Sequence, residues 1–199
     1  MRGKNGSEDD YEVISRVKAG EVDEFERLIE KYQLYVFALV SKHVPHESVE
    51  EVAHKVFIQA FKSLPGFQAR GSFKHWLSKI AIRSCYDFWR RRYRGREVVV
   101  SSISEDRRSW FEEALSARAL ETFHNEARRQ EAKELLNWAL DRLSPANRMV
   151  MNLIYFDGLT HKEAGELLGW STAKVKLRAY QSRKQLRGLI IKLLGKNEV

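Results

Sequence analysis

Residues 159–186 read LTHKEAGELLGWSTAKVKLRAYQSRKQL, and their spacing is that of two helices joined by a short turn. The first helix places Ala164 where the two helices would cross, with the following leucines directed inward. Gly169 suits a left-handed turn because it has no Cβ, and Ser171 belongs to the residue types that cap helices well. We therefore predict a helix-turn-helix in the C-terminal part of the chain.

The second of these helices has two chemically different faces. Small and apolar residues recur along one face at steps of three and four and predict a buried seam: Val175, Ala179, Ser182, Leu186, Leu189 and Leu193. The opposite face carries Lys174, Leu177, Gln181 and Lys184. In a major groove lysine can bond guanine acceptors, glutamine can pair with adenine, and leucine can contact a thymine methyl. A solvated basic face is the alternative, but an exposed leucine between cations favours DNA binding.

A second segment of mixed chemistry is SFKHWLSKIAIRSCYDFWRRRYRGR, residues 72–96. One helical stripe is predicted to face the core: Phe73, Trp76, Leu77, Ile80, Ala81, Ser84 and Phe88. A roughly opposite stripe is basic and aromatic: His75, Lys79, Arg83, Tyr86 and Arg90. Cations beside aromatic rings suit single-stranded or melting DNA, since they neutralise phosphates and stack on unpaired bases.

The aromatic residues of this segment are predicted to divide between the two roles. Phe73 and Phe88 should hold the helix against the core, while Trp76, at the border of the stripes, and Tyr86 should be available to DNA. The alternative is that all the aromatic side chains are core and all the arginines are solvated. Cys85, at the margin of the apolar stripe, is predicted to be a packing residue.

Most of the remaining sequence also has helical periodicity, so the fold class is all-α. A short helix is predicted from Asp10 to Ala19. The next helix begins near Asp23, with Glu26 at capping-box spacing, and Ser48 is a candidate cap for the third. Further along, Ser144 is predicted to cap a helix that has Pro145 at its first position and Gly158 at its end.

These elements predict two small helical domains, a bundle and a helix-turn-helix unit, over residues 1–95 and 132–199. Residues 96–131 are predicted to be a partly helical linker, because 97–106 is polar and irregular whereas the sequence from Ser109 favours helix. Trp110, Phe111 and Leu115 could dock this linker on a surface; a frayed, solvated helix is the alternative.

The composition restricts the class of protein. The net charge of +8 indicates a polyanionic partner. A single cysteine excludes an intramolecular disulfide and suits a reducing cytoplasm. Neither a signal peptide nor a membrane span is predicted, and no residue set indicates a metal site or a cofactor.

The chain resembles a bacterial extracytoplasmic-function (ECF) sigma factor in six segments that stand in the family's order and spacing. They are DEFERLIEKYQ, SVEEVAHKVFIQAFKSLPGF, GSFKHWLSKIA, DFWRRR, LDRLSPANRMVMNLIYFDGLTHKEAGELLG and VKLRAYQSRKQLR. The resemblance covers residues 10–94, the family's region 2, and residues 133–190, its region 4. It implies a non-enzymatic protein that binds core RNA polymerase, recognises promoter DNA and assists melting. It also implies an anti-sigma factor as a regulatory partner.

The resemblance also implies three sets of binding residues. The polymerase clamp would contact Glu50, Glu51, Val52, His54, Lys55 and Phe57. The minus-ten element, including a base flipped from the non-template strand into the loop from Phe67 to Ser72, would contact Phe67, Gln68, Arg70, Ser72, His75, Trp76, Lys79, Arg83, Tyr86 and Arg90. The minus-thirty-five element, in duplex form, would contact Ser171, Thr172, Lys174, Lys176, Leu177, Tyr180, Gln181 and Arg183. The linker would thread into the polymerase.

Several positions depart from the family pattern. His54 and Lys55 stand where the family usually has Gln-Glu, which removes an acidic group from the clamp-binding helix. Arg83 stands where an asparagine is frequent, and Leu177 replaces a common serine. We therefore expect this chain to prefer promoter sequences that differ from those typical of the family.

Three other functions were compatible with parts of the sequence. A helix-turn-helix regulator would bind duplex DNA tightly without polymerase, and a structural adaptor would bind polymerase without initiation. A nuclease would need convergent carboxylates or histidines. His43, His46 and His54 are the nearest candidates, but no acidic cluster accompanies them, and we interpret them as surface histidines.

Overall fold

A computed structural model describes residues 5–68, 71–96 and 137–194, and all regular elements within these ranges are helical. Two compact units are present. One comprises Met1–Trp89 with Glu163–Ser171, and the other comprises Arg90–Lys162 with Thr172–Val199. The predicted linker falls almost entirely outside the described residues, as do its proposed docking residues Trp110, Phe111 and Leu115. The all-α prediction is confirmed; the predicted domain boundaries stay a prediction.

Four helices form most of the first unit. Their bounds are Asn5–Lys18 (α1), Phe25–Ser41 (α2), Val49–Ser63 (α3) and Phe73–Arg96 (α4). Short 3₁₀ turns at Val22–Glu24, His46–Ser48 and Leu64–Gly66 precede α2, precede α3 and follow α3. The predicted capping box at Asp23 is wrong, because Asp23 lies in a 3₁₀ turn and α2 begins only at Phe25 without a side-chain cap.

The core of this unit lies between α2, α3 and α4. Val36 and Val40 of α2, Val52 and Val56 of α3 and Leu77 of α4 are each fully buried. They recur at steps of four within a helix, which places them on one face. Burying a side chain of this size contributes about 1.5–3 kcal/mol, so this contact is the main source of stability in the unit.

Helix α4 presents a slightly different face to the core from the one predicted. Its buried residues are Phe73, Leu77, Ser78, Ala81, Ile82, Cys85 and Trp89. Phe88 is only half-buried, so its assignment to the core is wrong. Trp89 takes its place, because a hydrogen bond of 2.7 Å from its indole Nε1 to the His43 carbonyl oxygen satisfies the ring nitrogen inside the core.

A buried carboxylate joins α1 to α2. Asp10 is 3% exposed. Its two oxygens accept hydrogen bonds of 2.6 Å from the Lys31 ammonium and of 2.6 Å from the Tyr32 hydroxyl. Both donors lie on α2. Because a buried charge is tolerated only when it is paired and hydrogen-bonded, this pair of bonds determines where α1 lies along α2.

The second unit is built around the last long helix. A helix that includes residues 137–141 leads into α5 (Pro145–Met151), which continues as a π-helical turn over Asn152–Phe156. Helix α6 (His161–Leu168) lies mostly in the Glu163–Ser171 segment of the first unit, and α7 (Thr172–Leu194) belongs to the second. Leu186 of α7 packs against the cluster of Leu140, Leu143 and Met151.

The predicted helix start at Ser144 and the predicted glycine turns in this part of the chain are largely confirmed. Ser144 accepts a hydrogen bond of 3.3 Å from the Asn147 amide, and Pro145 occupies the first turn. Gly158 and Gly169 have φ values of 69° and 71°, the left-handed conformation that favours glycine. Gly169 thus makes the turn between α6 and α7 that the sequence predicted.

The contribution of the α4 core face can be measured with a matched pair of leucines. Leu77→Ala should lower the free energy of unfolding by about 2–5 kcal/mol, because Leu77 is fully buried and its loss leaves a cavity. Leu34→Ala should change it by less than about 0.5 kcal/mol, because Leu34 is 82% exposed. Urea denaturation followed by circular dichroism compares the two variants, and equal losses would contradict this packing.

Cys85 provides a second test of the same core. Burial raises the pKa of its thiol to about 12. Since the thiolate is the reactive form, iodoacetamide should label the folded protein very slowly at pH 8 and the urea-unfolded protein rapidly.

Because the pKa of the Cys85 thiol is raised by folding, the protein should become less stable as the pH rises. A pKa that is raised in the folded state contributes stability below the unfolded pKa of about 8.5, and that contribution is lost as the pH rises above it. The difference in unfolding free energy between wild type and Cys85→Ala should therefore shrink from pH 7 to pH 10. A constant difference together with rapid labelling would show that the thiol is accessible.

Candidate nucleic-acid and protein-binding surfaces

Helix α4 turns a basic face to solvent opposite its buried face. His75, Arg83 and Arg90 are exposed, whereas Lys79 and Tyr86 are half-buried. This face continues into the exposed side chains of Arg91, Arg92 and Arg94. The residues predicted to form one stripe do lie on one side of the helix, and their charge gives that side a positive potential suited to phosphates.

An aromatic cluster lies at the start of this face. Phe67 is 6% exposed and its ring centroid is 5.2 Å from that of Trp76 and 5.8 Å from that of Phe73. Phe73 also contacts Tyr32 at 5.3 Å. Trp76 is half-buried, so one part of its ring belongs to this cluster and another part reaches solvent. The Phe67 side chain is buried behind this face and packs against Trp76.

The segment between α3 and α4 contains the other predicted minus-ten residues. Gln68 is exposed. Ser72 Oγ accepts a hydrogen bond of 3.2 Å from the His75 amide, which is a helix-capping bond at the start of α4. Arg70 lies outside the described residues. In this capping bond the Ser72 oxygen is the acceptor, so its O–H group can still donate a hydrogen bond.

The predicted clamp-binding residues of α3 divide between surface and core. Glu50, Glu51 and His54 are exposed, and Lys55 and Phe57 are half-buried. Val52 is fully buried and therefore belongs to the core and does not reach a partner protein.

The rest of the α3 surface mixes an internal ion pair with exposed apolar rings. Lys55 forms an ion pair with Glu51 one turn earlier. Ile58 and Phe61, 45% and 41% exposed, extend the surface toward the end of the helix. Neither was among the predicted clamp-binding residues, although both continue the spacing of Glu50, His54 and Phe57.

Helix α7 carries the third set of predicted residues on its solvent side. Leu177 and Tyr180 are 56% and 59% exposed. The other members are also exposed: Ser171, Thr172, Lys174, Lys176, Gln181 and Arg183. The buried seam is confirmed at Val175, Ala179 and Ser182. Leu186 and Leu189 are half-buried, and the side chain of Leu193 lies outside the described set.

A buried asparagine on α5 forms hydrogen bonds with three positions of α7. Asn147 is 6% exposed. Its Nδ2 donates to Gln185 Oε1 at 3.3 Å and its Oδ1 accepts from Arg178 Nη1 at 3.4 Å. Its backbone carbonyl accepts a hydrogen bond of 3.3 Å from Ser182 Oγ. The three partners are spaced at steps of four and three, so they bind Asn147 from one face of α7.

The histidine candidates for catalysis are dispersed. His43 is buried at 2% exposure, so its interpretation as a surface histidine is wrong. His46 and His54 are exposed. Within the described ranges no group of three His, Cys, Asp or Glu residues could hold a metal ion. None of the helices described there has the length and hydrophobicity that crossing a membrane requires.

Comparison with known families matches both parts of the chain. Residues 28–95 match the model of sigma-70 region 2, and residues 134–186 match that of sigma-70 region 4. The chain is 25% identical over 177 residues to the ECF RNA polymerase sigma-E factor of Escherichia coli K12, covering 89% of this chain and 92% of that protein. It is 25% identical over 181 residues to the RNA polymerase sigma-H factor of Pseudomonas aeruginosa, covering 90% and 92%.

A solved structure is also similar in part. It is the sigma factor RpoE in complex with the anti-sigma factor NepR from Bartonella quintana, with a TM-score of 0.48 and 20% identity. The match covers 86% of this chain and 97% of that chain.

The role of Asn147 can be tested against an exposed asparagine. Asn147→Ala should weaken the docking of α7 by about 1–2 kcal/mol, because two side-chain hydrogen bonds are lost and their partners are left without it. Amide hydrogen exchange across residues 175–186 should become faster. Asn137→Ala should leave it unchanged, because Asn137 is exposed. Unchanged exchange in Asn147→Ala would contradict the assigned role.

Proposed function

Because the chain belongs to the ECF sigma factors of the sigma-70 family, we propose specific roles for its exposed surfaces in promoter recognition and polymerase binding. As a sigma factor it binds core RNA polymerase, directs it to promoters and assists DNA melting, without catalysing a reaction itself. The observation that carries this function is the occurrence of regions 2 and 4, in that order, in one chain.

The basic face of α4 is proposed to bind the minus-ten element. Single-stranded DNA needs cations along its backbone and aromatic surfaces for its bases. The exposed Arg83 and Arg90 supply the first. The half-buried rings of Trp76, and of Tyr86 beside Trp170, supply the second. Lys79 and His75 extend the same face. A helix that binds melted DNA in this way stabilises the open duplex.

The loop from Phe67 to Ser72 is proposed to accept a base flipped out of the non-template strand. Extruding a base costs a few kcal/mol of stacking and pairing, which a pocket must offset. Phe67 gives the loop a rigid aromatic base, and Gln68 is exposed with an amide able to donate and accept hydrogen bonds. In this arrangement the Gln68 amide recognises the base, while the packed Phe67 ring fixes the loop backbone next to it.

The outer face of α3 is proposed to bind the polymerase clamp. Glu50 and His54 are exposed, and Ile58 and Phe61 add apolar area of the kind that interfaces bury. The pairing of Lys55 with Glu51 places the unusual lysine charge against a carboxylate of this chain. The apolar end of the helix then carries a larger part of the clamp affinity than the charges do.

Helix α7 is proposed to read the minus-thirty-five element in the major groove. Recognition helices contact base edges mainly through their N-terminal residues. Lys174, Leu177 and Gln181 are exposed in this half of α7, and each has a matching feature on a base edge. Ser171, Thr172, Lys176, Tyr180 and Arg183 lie beside them, where hydroxyl and cationic groups can contact phosphates.

The location and regulation of the protein follow from its family. Since it serves RNA polymerase, we place it in the cytoplasm. An anti-sigma factor is the proposed regulatory partner, and it would act by covering the polymerase-binding and DNA-binding faces.

The function is tested by run-off transcription with purified core polymerase on a promoter library. Core enzyme alone should not initiate specifically, whereas addition of this protein should give transcripts from a definable subset of sequences. Tight, specific duplex binding by the free protein without any polymerase-dependent initiation would instead identify a conventional helix-turn-helix regulator. Polymerase binding without initiation would identify an adaptor.

Arg83 should contribute to the choice of base in the minus-ten element. Arg83→Ala should relax discrimination at one position by about 5- to 150-fold, the range of a lost bidentate contact of 1–3 kcal/mol. Arg83→Lys should keep overall DNA affinity because the charge remains, but should not restore discrimination, since lysine lacks the planar fork. Thermal unfolding is measured in both variants as well, because the Arg83 guanidinium, although exposed, lies against Gly169. An unchanged base profile in both variants would exclude this role.

A further inference from the structure

Helix α1 holds the chain on both sides of the loop between α3 and α4. The Lys18 ammonium donates a hydrogen bond of 2.6 Å to the Phe67 carbonyl oxygen. The Tyr11 hydroxyl donates one of 3.0 Å to the Gly71 carbonyl oxygen. Phe67 and Gly71 bracket the segment that contains Gln68 and Arg70, so both of its ends are bonded to the same helix.

A ring contact strengthens the first of these attachments. The Tyr11 ring stacks on the Phe67 ring, with a centroid distance of 6.2 Å and an interplanar angle of 16°. Phe67 also contacts Trp76 of α4. Tyr11 therefore belongs to the aromatic cluster through its ring and to the second attachment through its hydroxyl, and the two functions can be separated by removing the hydroxyl alone.

Helix α1, to which the loop is bonded, is itself fixed to the core. Tyr11 and Lys18 are seven residues apart, two helical turns, and so lie on one face about 10 Å from each other along the axis. The other side of α1 is buried through Val13, Ile14 and Val17. Asp10, next to Tyr11, is bonded to α2. The loop ends are thus joined to an element that is itself bound to the core.

We propose that Tyr11 and Lys18 are positioning residues for recognition of the minus-ten base. They act through the backbone at Gly71 and Phe67 and not by contact with DNA. By holding the backbone at Phe67 and at Gly71 they keep Gln68 in the geometry that accepts one base better than others. The proposal rests on the proposed role of the loop in region 2.

The Lys18 and Tyr11 hydrogen bonds differ in strength, and each holds a different end of the loop. The Lys18 bond is charge-assisted and therefore stronger than a bond between neutral groups. The Tyr11 bond is neutral, but it lies directly before the capping bond of Ser72 at the start of α4. One bond thus holds the loop where it leaves α3, and the other holds it where it enters α4.

Two substitutions remove these bonds with little change of shape. Tyr11→Phe keeps the ring that stacks on Phe67 and removes only the hydroxyl. Lys18→Met keeps an unbranched side chain and removes the donor and its charge. Tyr35→Phe is the matched control for the first, because its hydroxyl bonds Ser78 Oγ at 2.7 Å, away from the loop. Lys42→Met, at an exposed position just after α2, is the control for the loss of one charge.

The first measurement is amide hydrogen exchange of the full-length protein without polymerase. Exchange in the peptide that covers residues 67–72 should become about two- to tenfold faster in Tyr11→Phe and in Lys18→Met, the range that corresponds to the loss of one hydrogen bond. Tyr35→Phe and Lys42→Met should leave this peptide unchanged. Unchanged exchange in Tyr11→Phe and Lys18→Met would overturn the attachment, whatever the protein does in transcription.

The second measurement is transcription by the reconstituted holoenzyme on a library with a randomised minus-ten element, read by sequencing the transcripts. The preference for the best base over the next best should fall about two- to tenfold at one position in Tyr11→Phe and Lys18→Met, and at none in the two controls. This result would support positioning.

Two other outcomes would overturn the proposal. An equal loss of transcription at all sequences, together with a smaller salt slope in Lys18→Met, is the behaviour of a phosphate contact. A faster-exchanging loop with an unchanged base profile would show that the attachment does not serve recognition. Failure of the wild-type holoenzyme to initiate at all would instead refute the proposed function, and the exchange measurement separates that case.

Discussion

The structure of the first unit depends on the burial of one face of helix α4. Leu77, Ala81, Ile82 and Cys85 are fully buried. Their burial fixes the rotation of α4 about its own axis. A helix that rotated by one residue position, about 100°, would carry its arginines into the core, where unpaired charge is costly. The positive face that we assign to DNA is therefore oriented by the apolar face behind it.

Much of this arrangement could be predicted from the sequence, because helical periodicity is a local property. The all-α fold, the buried seam of α7 at Val175 and Ala179, and the exposed cations of α4 all follow from spacing alone. The left-handed turn at Gly169 follows from the residue type. The exchange of Phe88 for Trp89 in the core did not follow, since neighbouring aromatics at the edge of a stripe differ by only 100° of rotation.

The features that could not be predicted are bonds between residues distant in sequence. Tyr11 and Gly71 are 60 positions apart, and Asn147 and Gln185 are 38 apart. His43 is buried, and its carbonyl oxygen accepts a hydrogen bond from the Trp89 indole 46 positions away. Spacing within one helix carries no information about such partners. The family resemblance assigns Val52 to the clamp, whereas its spacing with Val56 and Ala60 indicates an apolar face, and the packing of α2 on α3 places it in the core.

The two proposed DNA-binding elements share a physical design. Apolar burial provides most of the stability but is non-directional, so packed faces alone tolerate small shifts along and around a helix. Directional hydrogen bonds remove that freedom: Asn147 bonds three positions of α7, and Tyr11 and Lys18 bond both ends of the loop before α4. Reading a base requires donors and acceptors to be placed within a fraction of an ångström. If these elements bind DNA as proposed, polar residues that position them contribute to specificity together with the exposed residues that would contact the bases.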